Sequence, residues 1–392
     1  MITLLADQHI PYIKRYLDDQ IRLVTFDPLK GLPQDISADA LFVRTVTPIN
    51  ERELPSKLCD SLRFAATASA GTDHVDVDYL NQKGIQFKSA AGCNSRAVAE
   101  YVATGLLHWC SSNNVSFKRL KVGIVGVGNA GSAVNDLLLA LGAKTVLHDP
   151  PRELRDPDFK SSTIDDILQC EVVTFHVPLV SESDEITGYT VTRNWLDQKR
   201  LAESNIRLVI NASRGGVVDE KALKDAYVTG AIDDYILDVW TNEPIPISAS
   251  LQDAYIGTPH IAGYSIQAKH NATSWIVKSM YEHEGITFRN EIPSIDERSF
   301  ESETGLHNTL FKLDLLNLNR LPAKIHPILE ILHPMFGLSR KLKDAALVDD
   351  SALRDIFSQL RTGEPLRNEY AQIPIPEKIR YRYPELEILT AS

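Results

Sequence analysis

The stretch KVGIVGVGNAGSAVNDLLLALG, residues 121–142, decides the fold of this chain. The apolar run that opens it predicts a buried strand, and the apolar spacing of its second half predicts a helix. Between the two, Gly126, Gly128 and Gly131 match the pattern G-x-G-x-x-G. A strand, a glycine turn and a helix in this order are typical of a parallel α/β domain.

Each glycine of this turn is expected to have its own physical role. Gly126 permits the tight turn, Gly128 lets a pyrophosphate approach the backbone, and Gly131 allows the helix to pack closely on the strand. Helical spacing begins at Ala130, so the N-terminus of the helix faces the phosphate charge, and Asn129 and Ala130 are also candidate cofactor contacts. The stretch therefore predicts a dinucleotide site, although a glycine turn can also serve packing alone.

The strand that follows supports a dinucleotide site. KTVLH, residues 144–148, is followed by Asp149, which lies about where a carboxylate binds the ribose 2′-hydroxyl of such a ligand. A carboxylate at this position repels a 2′-phosphate and favours NAD over NADP as the cofactor, while nearby Arg152 leaves NADP as an alternative.

Length and charge narrow the class of protein. The chain has 392 residues, which suggests two or three domains. Its 41 Lys and Arg against 52 Asp and Glu give a net charge of −11, and an acidic surface disfavours nucleic acid and anionic membrane as partners. No apolar run approaches the roughly 18 residues of a membrane span. We therefore expect a small-molecule partner, with no nucleic acid and no membrane involved.

Cysteine spacing and the N-terminal sequence indicate the cellular compartment in which this protein is expected. The four cysteines are scattered and form neither a CxxC pair nor a dense disulfide framework. Residues 1–19 show no basic segment ahead of an apolar core, so no secretory signal is predicted. The expected location is the cytoplasm.

Alternating strands and helices continue the α/β pattern on both sides of the glycine turn. Further strands are predicted at residues 2–6, 40–46, 63–69, 85–90, 171–178, 206–213 and 234–240. Longer helices are predicted at residues 95–112, 266–285 and 351–363. The polar stretch at 288–305 is a predicted domain boundary.

Four polar side chains lie at or after predicted strand ends. Arg214 follows the strand at 206–213, Asp238 and Glu243 lie at and beyond the end of the next strand, and His260 lies in the loop GTPHIAGY. Because parallel strands deliver their carboxyl ends to one ligand crevice, we expect these side chains to lie close together. Taken alone, a histidine in such apolar surroundings is more typical of a core or turn residue.

An arginine, a carboxylate and a histidine together suit the oxidation of a 2-hydroxy acid. A base must remove the hydroxyl proton, and imidazole, with an ordinary pKa of about 6.5, suits this task. A neighbouring carboxylate orients the ring and favours its protonated form. A guanidinium, planar and always charged, can hold the substrate carboxylate and the developing carbonyl oxygen.

The segments GVGNAG, NASRGG, LDVWTNEP and PHIAGY, with Asp149, resemble the D-2-hydroxyacid dehydrogenase family, in which a catalytic Arg, Glu and His follow one another in this order. The resemblance is dense over residues 1–285 and looser towards the C-terminus. It implies that Arg214 orients the substrate, that Glu243 is the partner of the histidine, and that His260 is the acid/base.

The resemblance also implies ligand contacts outside this triad. For the cofactor NAD they are the glycine turn, Asp149, Asp238, Gly263 and Val177, which stands where Thr is frequent and can offer only its backbone. For the substrate they are Thr45, Ser69 and Tyr264. Arg44, beside Thr45, is a further candidate for binding an anion, with a structural salt bridge as the alternative. No metal site is expected.

The expected fold class is α/β, with a Rossmann NAD-binding domain at residues 95–257. A flavodoxin-like substrate (lid) domain is expected to be discontinuous, over residues 1–94 and 258–285. The resemblance implies that residues 286–392 form an α+β C-terminal dimerisation domain, and therefore a homodimer.

The resemblance implies a specific activity. We expect NAD-dependent oxidation of a phosphorylated hydroxy acid, 4-phospho-D-erythronate, at its 2-hydroxyl, in the biosynthesis of pyridoxal 5′-phosphate. Another D-2-hydroxy acid, such as glycerate or a phosphoglycerate, remains an alternative. An NAD-sensing binding protein is a further alternative, which the presence of all three catalytic residue types disfavours.

Overall fold

A computed structural model describes residues 1–183, 190–287, 306–318, 321–362 and 366–391 of the chain. These residues fall into two compact units. The first comprises residues 1–94 with 266–287, and the second comprises residues 95–265 with the described residues from 306 onwards. Each unit contains one parallel sheet.

The strands are β1 (Ile2–Asp7), β2 (Ile21–Phe26), β3 (Ala40–Val43), β4 (Phe64–Thr67), β5 (Gln86–Ser89), β6 (Lys121–Val125), β7 (Lys144–His148), β8 (Val172–Phe175), β9 (Leu208–Asn211), β10 (Asp234–Leu237) and β11 (Ile256–Gly257). The helices that precede residue 290 are α1 (Ile13–Tyr16), α2 (Ser56–Cys59), α3 (Val77–Gln82), α4 (Ser95–Asn113), α5 (Asn129–Ala140), α6 (Pro150–Arg155), α7 (Ile164–Leu168), α8 (Gln198–Ala202), α9 (Glu220–Val228), α10 (Ser248–Asp253) and α11 (Ile266–His283). The helices that follow are α12 (Leu306–Leu318), α13 (His326–Leu332), α14 (Met335–Ala346), α15 (Asp350–Thr362), α16 (Glu377–Arg382) and α17 (Glu385–Thr390).

The first unit has the sheet order β2-β1-β3-β4-β5, with every pair parallel, which is the flavodoxin-like order expected from the sequence. Successive side chains of a strand point to opposite faces, so Leu4 and Ala6 enter one core and Leu5 enters another. Helix α11 covers the first of these faces with Ile276, Val277 and others. Because apolar residues occupy both faces of this sheet, the sequence of this unit shows the pattern of buried strands.

Sequence analysis missed the edge strand β2. Only its two end residues, Ile21 and Phe26, are buried, and the four residues between them are half-buried or exposed. It therefore shows neither a continuous apolar run nor a regular alternation.

The second unit has the order β11-β10-β9-β8-β6-β7, again with every pair parallel. Strand β6 is the switch point, because the chain continues from it to β7 on one side and then to β8 on the other. The predicted Rossmann arrangement is confirmed. Sequence analysis missed β11, which spans two residues and is too short to show a pattern.

Three predicted strands of the second unit ended too late, whereas the strand predicted at residues 144–148 has the bounds of β7. Residues 176–178, 212–213 and 238–240 were assigned to strands and instead form the first residues of the loops beyond β8, β9 and β10. Apolar residues such as Val177, Ala212 and Val239 continue past the hydrogen-bonded ladder, so the sequence shows no end of the strand there. These loops carry most of the candidate site.

The described C-terminal residues group with the second unit, where a separate α+β domain at 286–392 was expected. From residue 306 onwards the described chain contains helices and no strand. Its apolar side chains, among them Met335, Leu342 and Phe357, join the same core as Val122 and Ile236 of the sheet. Helix α14 packs directly against β11 and α10. The polar stretch at 288–305 lies outside the described residues.

The boundary expected at residue 258 also differs. Residues 258–265 group with the second unit, and the first unit resumes at Ile266. The physical reason is that the Asp238 carboxylate binds the backbone N–H groups of Ile261 and Ala262, while the Ser265 hydroxyl donates to Glu369. Among the helices that the structure describes, none is both long and apolar enough to cross a bilayer.

Candidate active site

The glycine turn meets the geometric demands that its motif sets. Gly126 has φ 86°, and a Cβ there would lie 2.6 Å from the His176 carbonyl oxygen. A Cβ on Gly131 would lie 1.9 Å from the Gly126 carbonyl oxygen. A Cβ on Gly128 would meet nothing within 4 Å, so the backbone at the start of α5 is open to a ligand. The three glycines thus serve turn, packing and access separately.

A cleft of about 620 Å³ lies beside the turn, at the carboxyl ends of β6, β7 and β8. Gly126, Gly128, Asp149 and Val177, all singled out from the sequence, line it. Residues that sequence reasoning did not single out also line it, namely Pro151, Arg155, Thr192 and Trp195. Pro151 and Arg155 belong to α6, and Thr192 and Trp195 lie between β8 and α8 in the sequence, and no motif marks any of the four.

Asp149 follows β7 and caps helix α6. One carboxylate oxygen accepts the Val127 N–H at 2.7 Å, and the other accepts the Arg152 N–H at 2.9 Å. The Arg152 guanidinium contacts Asp156 at 3.1 Å, the Val127 carbonyl at 2.8 Å and the Ser132 hydroxyl at 3.2 Å. These contacts direct Arg152 at protein groups.

His176 lines the same cleft with an imidazole that is neutral. Burial lowers its pKa to about 3, and its Nε2 lies 3.0 Å from the Thr174 hydroxyl. Its buried Nδ1 has no hydrogen-bond partner in the described part of the chain. The open turn and the Asp149 carboxylate on the wall of the cleft fit a dinucleotide that lacks a 2′-phosphate.

His260 and Glu243 form a hydrogen-bonded pair. The His260 Nδ1 lies 2.8 Å from Glu243 Oε2 and 3.1 Å from Oε1. The two side chains retain 29% and 22% of their exposure, so the pair is accessible to a small molecule. A histidine that carries an acceptor on Nδ1 presents Nε2 for proton exchange.

The backbone of His260 is held in an unfavourable conformation. Its φ is 58°, a left-handed value that costs about 1–2 kcal/mol for a residue with a Cβ. The His260 N–H donates to the Asp238 carbonyl at 2.7 Å, which fixes this turn. Such conformations persist where the surrounding structure over-determines them, and they cluster at functional sites.

Asp238 braces the loop that carries His260. Its carboxylate, 1% exposed, accepts the Thr258 hydroxyl at 2.6 Å, the Ile261 N–H at 2.7 Å and the Ala262 N–H at 2.8 Å. Burial raises its pKa, against the opposing effects of the positive charge on His260 and of these hydrogen bonds. The contact with the cofactor expected from the sequence stays a prediction.

Glu243 is held in its ionised form. Burial favours the neutral acid, but the hydrogen bond and charge of His260, the Trp240 N–H at 3.1 Å and Arg361 together lower the pKa of Glu243 below its ordinary value. Arg361 lies in α15, and its Nη1 is 3.9 Å from Glu243 Oε2. Sequence analysis missed Arg361, because no local motif surrounds it.

Arg214 lies in the turn beyond β9. It is half-buried, and its Nη1 donates to the Ser213 carbonyl at 2.8 Å. The next residue, Gly215, is packed against the backbone of Trp240, and a Cβ there would lie 1.9 Å from the Trp240 carbonyl oxygen. The loop of Arg214 therefore lies against the loop whose Trp240 N–H binds Glu243.

Gly263 and Tyr264 close the loop that follows His260. The Tyr264 N–H donates to the Ile261 carbonyl at 2.8 Å, and its hydroxyl accepts from Arg361 Nε at 3.2 Å. Gly263 lies within this turn, directly after Ala262, whose N–H Asp238 binds. Both residues are half-buried in the second unit.

In the first unit, the predicted substrate residues follow neighbouring strands. Arg44 and Thr45 come directly after β3, and Ser69 comes two residues after β4, so they share the carboxyl edge of one sheet. Arg44 forms a salt bridge with the buried carboxylate of Asp7, with Nε at 2.8 Å and Nη2 at 3.4 Å. Arg44 thus forms the structural salt bridge that was the alternative to anion binding, and anion binding stays a prediction.

Residues 96–262 match the family profile described as the D-isomer specific 2-hydroxyacid dehydrogenase NAD binding domain. The chain is 36% identical over 352 residues to an erythronate-4-phosphate dehydrogenase from Bacteroides thetaiotaomicron, which covers 87% of this chain and 98% of the relative. It is 35% identical over 378 residues to a protein of the same name from Yersinia enterocolitica, which covers 95% of this chain and 92% of the relative.

Solved structures share the fold at low sequence identity. An NAD⁺-bound 3-phosphoglycerate dehydrogenase from Entamoeba histolytica matches with a TM-score of 0.57 and 19% identity, over 75% of this chain and 99% of that one. A D-lactate dehydrogenase from Aquifex aeolicus, complexed with NAD and lactic acid, matches with a TM-score of 0.54 and 23% identity, over 72% of this chain and 96% of that one. These matches establish the fold.

Proposed function

Because the chain belongs to the D-isomer-specific 2-hydroxyacid dehydrogenase family, we propose that it oxidises 4-phospho-D-erythronate at C2, with NAD as cofactor, to (R)-3-hydroxy-2-oxo-4-phosphooxybutanoate. The family fixes the class of reaction, a small 2-hydroxy acid as substrate and NAD as cofactor. The two curated relatives, each aligned over most of the chain, support the phosphorylated four-carbon acid and hence a step in pyridoxal 5′-phosphate biosynthesis.

The observation that carries the mechanism is the hydrogen-bonded Glu243–His260 pair. Glu243 accepts a hydrogen bond from Nδ1–H, which leaves the lone pair on Nε2 for the proton of the substrate hydroxyl. Since Glu243 is ionised, it also stabilises the imidazolium that forms when His260 takes this proton. When bound, NAD⁺ supplies the acceptor for the hydride that leaves C2.

Arg214 is proposed to hold the substrate carboxylate and to stabilise the negative charge on the developing carbonyl oxygen. A guanidinium suits both tasks, since it remains charged and can form two parallel hydrogen bonds. Its loop packs against the loop that positions Glu243, which supports a shared site within the second unit. Thr45, Ser69 and Tyr264 are proposed as further substrate contacts through their hydroxyl groups.

Gly126, Gly128, Asn129, Ala130 and Gly131 are proposed to hold the pyrophosphate of NAD at the N-terminus of α5. The further proposed cofactor contacts are Asp149, Val177, Asp238 and Gly263. For Asp149 the support is its place at the end of β7, on the wall of the cleft.

Substitution of His260 by Ala tests the proposal. The variant should bind NAD as the wild type does, because the loop is held by Asp238 and not by the imidazole. It should lose at least about 100-fold in kcat, since general acid–base catalysis contributes about 10²–10⁴-fold. Steady-state kinetics and fluorescence titration with NADH measure the two quantities. Unchanged turnover would show that His260 is not the acid/base.

We further propose that the enzyme is a cytoplasmic homodimer. Phe311 and Leu315, one turn apart on α12, are 57% and 45% exposed in the single chain, so a second copy could cover this apolar face. The four cysteines are free, in keeping with a reducing compartment. Light scattering after size exclusion should give twice the chain mass, and subcellular fractionation should recover the enzyme with cytoplasmic markers. A chain that stays monomeric would contradict the first point.

A further inference from the structure

The C-terminal segment contacts the loop of the candidate acid/base at both of its ends. We define this histidine loop as residues 257–265. The Gly257 N–H donates to the Ser339 hydroxyl of α14 at 3.0 Å. At the other end, the Ser265 hydroxyl donates to Glu369 at 2.8 Å. All of these groups are buried or nearly buried, so the contacts are shielded from water.

Between these two ends, Arg361 of α15 contacts two residues of the site. Its Nε donates to the Tyr264 hydroxyl at 3.2 Å. Its Nη1 lies 3.9 Å from Glu243 Oε2, the same oxygen that lies 2.8 Å from His260 Nδ1. One carboxylate oxygen therefore faces two cationic partners, the imidazole when protonated and a guanidinium that is always charged.

The contact between Arg361 and Glu243 affects both the orientation of the Glu243 carboxylate and the electrostatics of the Glu243–His260 pair. Arg361 attracts Glu243 Oε2 from the side of α15, which limits the rotation of the carboxylate that orients His260. Its positive charge faces the same carboxylate oxygen that the imidazole contacts, so the guanidinium and an imidazolium would compete for that oxygen. Among the described residues, Arg361, Asp238 and Glu220 act electrostatically on the pair, Tyr264 acts on Arg361, and Arg214 lies on the adjoining loop.

We propose that Arg361 is a positioning residue for the Glu243–His260 pair, so that the C-terminal segment completes the active site in addition to its role in packing. The inference rests on the proposed roles of Glu243 and His260. It makes Arg361 a determinant of the pH range in which His260 is available as a base. Removal of the guanidinium should leave the imidazolium with an unshared carboxylate and hence favour it.

The variant Arg361→Gln tests this inference, with Arg354→Gln as its control. Arg354 lies on the same helix, is exposed, and its replacement changes the net charge by the same amount. R361Q should lower kcat by about tenfold, a fraction of the 10²–10⁴-fold that acid–base catalysis supplies. The acidic limb of its kcat/KM profile for the oxidation should move to higher pH. R354Q should match the wild type, and Arg361→Lys should restore much of the profile.

A second measurement does not depend on turnover. NMR titration of the histidine side chains, with His260→Ala to assign the signal, reports the protonation of His260 in the free protein. The His260 signal should titrate at higher pH in R361Q than in the wild type and R354Q. Arg361→Met, which keeps the aliphatic stem, replaces R361Q if that variant does not fold.

The outcomes separate this inference from the proposed function. If R361Q and the wild type have the same pH profile and the same His260 titration, while H260A is inactive, the inference about Arg361 is wrong and the proposed function stands. If H260A retains its turnover, the roles of Glu243 and His260 fail first. If R361Q loses activity only through a lower melting temperature, with its titration unchanged, Arg361 is structural.

Discussion

At the scale of single residues, the site depends on buried acceptors that fix short loops. Asp238 holds three donors around the histidine loop, and Glu243 holds the ring of His260. Arg214 and Glu243 were recognisable from sequence because each follows a predicted strand of one parallel sheet, whereas His260 was recognised through the segment PHIAGY, since the strand β11 before it was not predicted. Arg361 was not, since its relation to Glu243 exists only once residues about a hundred positions apart in sequence have packed together.

Replacement of Asp238 by Asn should destabilise the protein and misplace His260. An amide has one acceptor oxygen where the carboxylate has two, so at least one of the Ile261 and Ala262 N–H groups would be left unsatisfied in a buried site. The expected loss is about 1–3 kcal/mol in the free energy of unfolding. Urea denaturation measures it, and a stability equal to the wild type would contradict the bracing role of Asp238.

The ionised form of Glu243 should stabilise the folded state in a defined pH range. Because the folded pKa of Glu243 lies below its ordinary value, its contribution is complete above the ordinary glutamate pKa of about 4.3 and is lost as pH falls through the lower folded pKa. Urea unfolding of the wild type and of Glu243→Gln from pH 7 to pH 3 checks this. The difference between the two proteins should shrink over the acidic part of this range. A constant difference would show that the charge of Glu243 does not contribute.

At the level of secondary-structure elements, the glycine turn was predicted from sequence together with the strand and the helix on either side of it. Its three glycines, the strand β6 and the helix α5 were predicted together, because each local preference agrees with the others. The edge strand β2 was not predicted because its partial burial leaves no periodic pattern, and β11 was not predicted because it is only two residues long.

Alanine at two positions of this turn should have opposite effects. In Gly131→Ala the new Cβ would lie 1.9 Å from the Gly126 carbonyl oxygen, so α5 must move away from β6 and the protein should lose several degrees in melting temperature. In Gly128→Ala the Cβ meets no protein atom within 4 Å, so the fold should survive while the affinity for NADH falls. Thermal melting and NADH titration distinguish the two, and equal losses of stability would argue against the separate roles.

At the scale of the whole molecule, the described chain forms two compact units, and the C-terminal helices belong to the second. Sequence analysis separated these helices because they contain no cofactor motif and follow a polar stretch. The sequence shows that these helices carry apolar residues, but it does not show which residues they pack against. The shared core joins residues such as Val122 and Leu342 that are distant in sequence.

Leu342→Ala should therefore destabilise the second unit as a whole. Leu342 is fully buried in the core that includes the central sheet, and such a truncation costs about 2–5 kcal/mol. In scanning calorimetry the same transition should shift in Leu342→Ala and in Val122→Ala. Leu347→Ala, at a position that is 72% exposed, is the matched control and should leave it unchanged. A separate low-temperature transition confined to Leu342→Ala would indicate an independent C-terminal domain.

The central claim is the oxidation of 4-phospho-D-erythronate by an NAD-dependent enzyme. Its most direct test is the steady-state reduction of NAD⁺, and separately of NADP⁺, by the purified protein with 4-phospho-D-erythronate, D-glycerate and D-3-phosphoglycerate. A 2-oxo acid is included as acceptor in case bound NADH is not released. The proposed function predicts the highest kcat/KM for 4-phospho-D-erythronate with NAD⁺. Good activity on another hydroxy acid without turnover of 4-phospho-D-erythronate would contradict it.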